Sequence, residues 1–273
     1  MLRQGRVTLE ELTGVALDAA SQAGSLALSG FRKSMRVSEK GESDLVTEFD
    51  LASERLLRQL LAERTPSIPV FGEEEGGSRT AERVWYCDPI DGTNNYAHGH
   101  PFWAVSVGLM AGTEPVAGAV VAPALGITWT GYRGGPALRN GEPCHVSPTR
   151  ELGRALVATG FPRDLSRSPD DNFGSFVHVK RNVQGVRRCG SAAIDVCLVA
   201  DGTYDAFWER RLSTWDLAAG VAIALSAGGT LSHLDGGPAV LDGGHVLLDN
   251  GFVHDDMLRL LRESVAIWPA AET

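Results

Sequence analysis

CDPIDGTNNY, residues 87–96, sets Asp88 and Asp91 three positions apart with Pro89 between them, then adds Gly92, Thr93 and two asparagines. Like charges held this close raise each other's pKa unless something positive neutralises them. Either the pair is solvated in a turn or it holds a cation. From Val84 to Tyr132 there is no Lys or Arg. An anion bound beside this motif would therefore draw its positive charge from metal ions.

Two further acids stand at the ends of expected elements. SIPVFGEE (67–74) reads as a short buried strand running into an acidic turn, with Glu73 directly after Gly72. VWYC (84–87) reads as a strand that delivers Asp88 at its C-terminal end, and TWDLAAGVAIALSAGG (214–229) as a helix opened by Asp216. Hard divalent cations such as Mg²⁺ take oxygen ligands. Pro89, with its fixed φ, can hold both aspartates and the Ile90 carbonyl in one turn. Singly, Asp88 and Asp216 read better as turn and cap residues. The four acids together, each where a strand or helix meets a turn, read as a metal site.

Gly92, Thr93 and Asn94 open a helix whose free amides can receive a phosphate oxygen, and the Thr93 hydroxyl can orient a water. No G-x-x-x-x-G-K-[ST] occurs, which excludes a P-loop nucleotide site. Metal-activated water attacking a phosphate monoester needs only cations that bridge the oxygens and lower the water's pKa.

The bulk numbers suit an enzyme of this kind. With 273 residues, 43% hydrophobic and 22% charged, the chain can bury a full core as one large domain or two packed subdomains. A net charge of −9 disfavours nucleic acid or an anionic membrane as the main partner. No apolar run reaches the roughly 18 residues of a membrane helix, and the start MLRQGRVTLEEL lacks the apolar core of a signal peptide. Cys87, Cys144, Cys189 and Cys197 show no C-x-x-C spacing, so reduced thiols in a cytoplasmic protein are expected.

Residues 7–30 read as a helix with a Thr8–Glu11 capping box, and 47–64 as a second. WAVSVGLM and PVAGAVVAP read as neighbouring strands, and Asn140-Gly141 as a tight hairpin turn. Beyond residue 150 strands and helices alternate: ALVATG, a helix over 169–182, a helix SAAIDVCLVADG, and the strands YDAFWE and TLSHL. The expected organisation is an α+β subdomain over 1–150 that carries most metal ligands, and an α/β subdomain over 151–273 that carries Asp216 and the substrate-pocket residues.

WYCDPIDGTNNYAH and WDLAAGVAIALSAGG, with GESDLVTEFD and FGEE upstream and GSAA between, resemble the motifs of the inositol monophosphatase family in order and cover most of the chain. The resemblance implies a layered αβαβα sandwich like that of fructose-1,6-bisphosphatase and a magnesium-dependent, lithium-sensitive phosphatase. Metal ligation falls to Glu73, Asp88, the Ile90 carbonyl, Asp91 and Asp216, holding two or three Mg²⁺ ions. Thr93, paired with Asp50, would activate the attacking water, with Glu73 in the catalytic set. Gly92 and Thr93 amides would hold the phosphate. Gly190, Ser191, Ala192 and Glu209, together with Asp91 and Asp216, would bound the substrate, and Asp44 falls near a third, weaker metal. The implied substrate is a small phosphorylated polyol, foremost inositol 1-phosphate. Histidinol phosphate, fructose 1,6-bisphosphate, 3′-phosphoadenosine 5′-phosphate and a regulatory role on the same fold remain open. A homodimer is expected. Cys87 stands where the family usually has Ile, Leu or Val, and reads as packing.

Overall fold

The computed structural model describes residues 7–41, 44–162 and 170–264. Helix α1 (Leu9–Gly30) starts at the expected capping box: Thr8 Oγ1 accepts from the Glu11 amide at 3.2 Å, and the Glu11 carboxylate accepts from the Thr8 amide at 2.8 Å. Strands β1 (Val37–Gly41) and β2 (Asp44–Thr47) pair antiparallel and lead into α2 (Glu48–Arg64).

A seven-stranded sheet follows, made of β3 (Val70–Gly72), β4 (Arg83–Asp91), β5 (Ala104–Ala111), β6 (Glu114–Ala122), β7 (Ile127–Tyr132), β8 (Leu138–Arg139) and β9 (Glu142–Pro143), paired in chain order. Only β3 and β4 run parallel. Side chains alternate across its faces as a pleat requires. Trp85, Cys87, Val105, Val107 and Leu109 point to α1 and α2, where Leu12, Ala16, Leu57 and Leu61 meet them. Val84, Tyr86, Ala104 and Met110 face the other way, into a second core. Burial on both faces explains why these strands read as unbroken apolar runs.

The second core is filled by α5 (Ala192–Ala200) and α6 (Thr214–Ser226). Beneath α6 the sheet carries Gly108 and Gly118. A Cβ on either would fall 2.4 Å from the Ala219 nitrogen or 2.5 Å from its Cα, so the bare backbone is what lets the helix settle onto β5 and β6. Under the same helices lies a five-stranded sheet, ordered β11 (Gly185–Arg187), β10 (Leu156–Thr159), β12 (Ala206–Glu209), β14 (Val246–Asp249), β13 (Thr230–His233). Phe207 points inward to α5 and α6. Its neighbours Ala206 and Trp208 point outward to α4 (Phe173–Lys180) and α7 (His254–Ser264). The layers run helix, sheet, helix, sheet, helix, as the resemblance implies.

Two local expectations change. Strand β4 does not stop at Cys87 but carries the DPID segment to Asp91. Helix α4 starts at Phe173, later than 169, because Asn172 adopts a left-handed φ of 70° that no helix continues through. β7, β11, β14 and α7 carry no expectation from the sequence. At Asn140-Gly141 the backbone has φ of 50° and 82°, as a two-residue hairpin between β8 and β9 requires.

Candidate active site

On a regular strand Asp88 and Asp91, an odd number apart, would face opposite sides. β4 avoids this with an irregularity opposite β5: Asp88 pairs with Ser106, yet Asp91 pairs with Ala104, so one extra residue is absorbed between them. Both carboxylates then face the same way. Asp88 accepts from the Ile90 amide at 3.0 Å, and Asp91 accepts from Ser191 Oγ and, at 2.8 Å, from the Ala193 amide at the start of α5. Asp216 sits in the first turn of α6 and accepts from the Ser213 amide at 2.7 Å. One carboxylate oxygen from each of Asp88, Asp91 and Asp216 lies within 4.8 Å of the others. Such an all-oxygen set fits a hard divalent cation.

Gly92 turns the chain out of β4 at φ 91° into the short α3 (Thr93–Ala97), and a side chain there would crowd the Gly190 and Phe102 carbonyls. Asn95 ties this turn to the second half of the chain, donating to the Phe102 carbonyl at 2.7 Å and the Cys189 carbonyl at 2.8 Å. Thr93 Oγ1 lies 3.2 Å from Asp50 Oδ1 and 3.0 Å from the Ile90 carbonyl. Asp50 is held on α2 by Thr47, whose amide and hydroxyl both donate to its other oxygen. Burial pushes the Asp50 carboxyl up to about 6, with the Glu74 charge adding to it and the Thr47 and Thr93 hydrogen bonds opposing.

A cavity of about 450 Å³ opens over these groups. Of the expected residues, Glu73, Asp91, Gly92 and Thr93 line it from the first half, and Gly190, Ser191, Ala192, Glu209 and Asp216 from the second. Asp50, Asp88 and Ile90 lie behind its wall, buried. Glu73 is on the cavity wall but outside the group of three carboxylates. The Glu209 carboxylate packs where a Cβ on Gly160 would be, 2.2 Å away, so Gly160 makes its seat. Asp44 begins β2, and its side chain lies outside the described residues.

Two acids escaped the sequence reading. Glu54, fully buried on α2, accepts from the Glu74 amide at 2.7 Å and the Glu75 amide at 2.9 Å, and Arg58 donates to it at 2.7 Å. It thereby holds the turn that presents Glu73. Its signal was the i, i+4 spacing from Asp50, which puts both on one helix face. Asp195, a lone acid in the apolar helix AAIDVCLVA, lines the cavity. Arg188, Arg210 and Arg211 also line it. Trp215, expected in the core, is half-buried at the cavity wall and stacks on Phe71 at 5.9 Å. Trp85, Trp103, Trp129 and Trp208 are buried as expected. His98 and His100 lie exposed in the turn after α3, away from the cavity lining. Cys87 is buried and its thiol pushed up by that burial, which suits packing and not nucleophilic attack.

The inositol monophosphatase family model matches residues 8–266, so the chain belongs to that family and is a phosphatase acting on phosphate monoesters. It is 38% identical over 241 residues to the chloroplastic phosphatase IMPL1 of Arabidopsis thaliana, covering 85% of this chain and 65% of that longer protein. It is 37% identical over 250 residues to the inositol-1-monophosphatase of Synechocystis, covering 90% and 87%. The solved structure of inositol monophosphatase from Anabaena (Nostoc) superposes with a TM-score of 0.87 at 36% identity, covering 94% of this chain and 97% of that one.

Proposed function

We propose that this chain is a Mg²⁺-dependent, Li⁺-sensitive phosphatase of small polyol phosphates, with inositol 1-phosphate its foremost substrate. The observation that carries the reading is the meeting of Asp88, Asp91 and Asp216 beside a cavity bounded by Glu209 and by the Gly92–Thr93 turn. Glu73, Asp88, the Ile90 carbonyl, Asp91 and Asp216 would hold two or three Mg²⁺ ions. Bound there, the ions supply positive charge to the phosphate oxygens and lower the pKa of a water. Thr93, donating its proton to Asp50, keeps an oxygen lone pair to orient that water. Gly92 and Thr93 amides hold the phosphate, and Glu209 accepts hydroxyls of the alcohol while Gly190, Ser191 and Ala192 flank it. We further infer two subdomains, 1–150 and 151–273, joined at the site, in a cytoplasmic homodimer. No helix among the described residues is long and apolar enough to cross a membrane.

The test is phosphate release from inositol 1-phosphate, histidinol phosphate, fructose 1,6-bisphosphate and 3′-phosphoadenosine 5′-phosphate, with Mg²⁺, without it, and with added Li⁺. Mg²⁺-dependent, Li⁺-inhibited release that favours inositol 1-phosphate is expected. Preference for another member moves the substrate but keeps the chemistry. Silence across the panel in folded, Mg²⁺-supplied protein overturns the reading.

A further inference from the structure

Asp195 stands four residues into α5 from its cap at Ser191, among Ala193, Ile194, Val196 and Cys197, all buried. It is 2% exposed and lines the cavity, and its Oδ1 is buried with no hydrogen-bond partner. A buried carboxyl left unmatched costs folding free energy that an apolar residue would not. The rest of the wall shows that the chain can supply donors: the Ala193 amide and the Ser191 hydroxyl, from the same helix start, go to Asp91. Asp195 receives none.

A group entering the cavity can make the match. Burial first, then the charges of Glu209 and Asp91, push the Asp195 carboxyl up, while Arg188 opposes them. An unpartnered carboxylate oxygen on the cavity wall suits a hydroxyl, from which it can accept. Asp195 also stands outside the group of three carboxylates that could hold a cation.

We propose that Asp195 is a specificity-determining residue that hydrogen-bonds a hydroxyl of the alcohol portion of the substrate, beside Glu209. This rests on the polyol-phosphate reading above.

The experiment compares Asp195→Ala and Asp195→Asn with the full-length wild type, in Mg²⁺, on inositol 1-phosphate and on cyclohexyl phosphate, which lacks the other ring hydroxyls. Wild type is expected to prefer the inositol ester. Asp195→Ala should raise KM for it by about tenfold, the worth of one buried hydrogen bond, and leave cyclohexyl phosphate unchanged. Asp195→Asn, which keeps an acceptor and donors, should lose less. Melting temperature should hold or rise in both variants, because no protein partner is lost. Equal KM changes on the two esters, or none on either, overturn the assignment, as does a larger loss on the amino alcohol ester histidinol phosphate. If Asp195→Ala fails to fold, Asp195→Asn carries the comparison. Wild type silent on every ester overturns the polyol-phosphate reading itself. Wild type active, with variants of unchanged preference, overturns only the role of Asp195.

Discussion

Glu54 and Asp195 are both buried acids on helices that flank one site, yet their surroundings are opposite. Glu54 on α2 is saturated: two backbone amides and a guanidinium address its oxygens, and Gly72 clears the space for them. Asp195 on α5 has a buried oxygen that nothing in the protein addresses. The first acid is spent on holding a turn in place, whereas the second is left for a visitor. Burial alone does not separate structural acids from functional ones; the donors around them do.

The comparison can be broken in several ways. Asp91→Asn removes one of three crowded carboxylates and should cut turnover about a thousandfold or more while melting temperature stays level or rises. Near-normal steady-state rates would remove Asp91 from the metal set. Glu54→Gln should act the other way round. It leaves Arg58 and the residue 74–75 amides poorly matched and should cost about 2–3 kcal/mol in denaturant unfolding. Activity should fall as well, through the displaced Glu73, and added Mg²⁺ should recover part of it. An unchanged unfolding midpoint would place Glu54 with Asp195.

Asp50 allows a test by pH. Its folded value near 6 lies above the ordinary 3.8, so the folded state binds this proton more tightly than the unfolded chain does. The cost of keeping it ionised is full above about pH 6 and fades as pH falls toward 4. In chelator, wild type should therefore gain stability relative to Asp50→Asn across that window, and parallel curves would refute the assignment. The smallest effect is at Asp249, another saturated acid, which accepts from His254 and from the Gly251 amide. The Asp249 hydrogen bond raises the His254 pKa, so its stabilisation is full below pH 6.5 and is lost as pH climbs through the raised value. The gap in melting temperature between wild type and His254→Gln should narrow accordingly. A gap constant with pH would leave only packing.

What could be read from the sequence was local or ordered along the chain. The Thr8–Glu11 cap, the apolar strands and the acids of the two main motifs depend on neighbours within a few residues. The role of Glu54 depends on amides twenty residues away, and its position four after Asp50 looks like any polar turn of a helix. The shared face of Asp88 and Asp91 was assigned to a proline turn. The strand irregularity that produces it is set by pairing with Ser106 and Ala104, which no local pattern reveals. Asp195 was visible as a residue but not as an unmatched one, since that depends on what the folded wall withholds.

The seat of α6 on Gly108 and Gly118 has a consequence for how the protein is made. Asp88 and Asp91 leave the ribosome more than a hundred residues before Asp216. The helix bearing Asp216 rests where its own Ala219 meets the bare backbone of β5 and β6. A nascent chain thus carries two of the three clustered carboxylates before the third has been made. The cluster of three carboxylates is therefore complete only where α6 lies against the sheet.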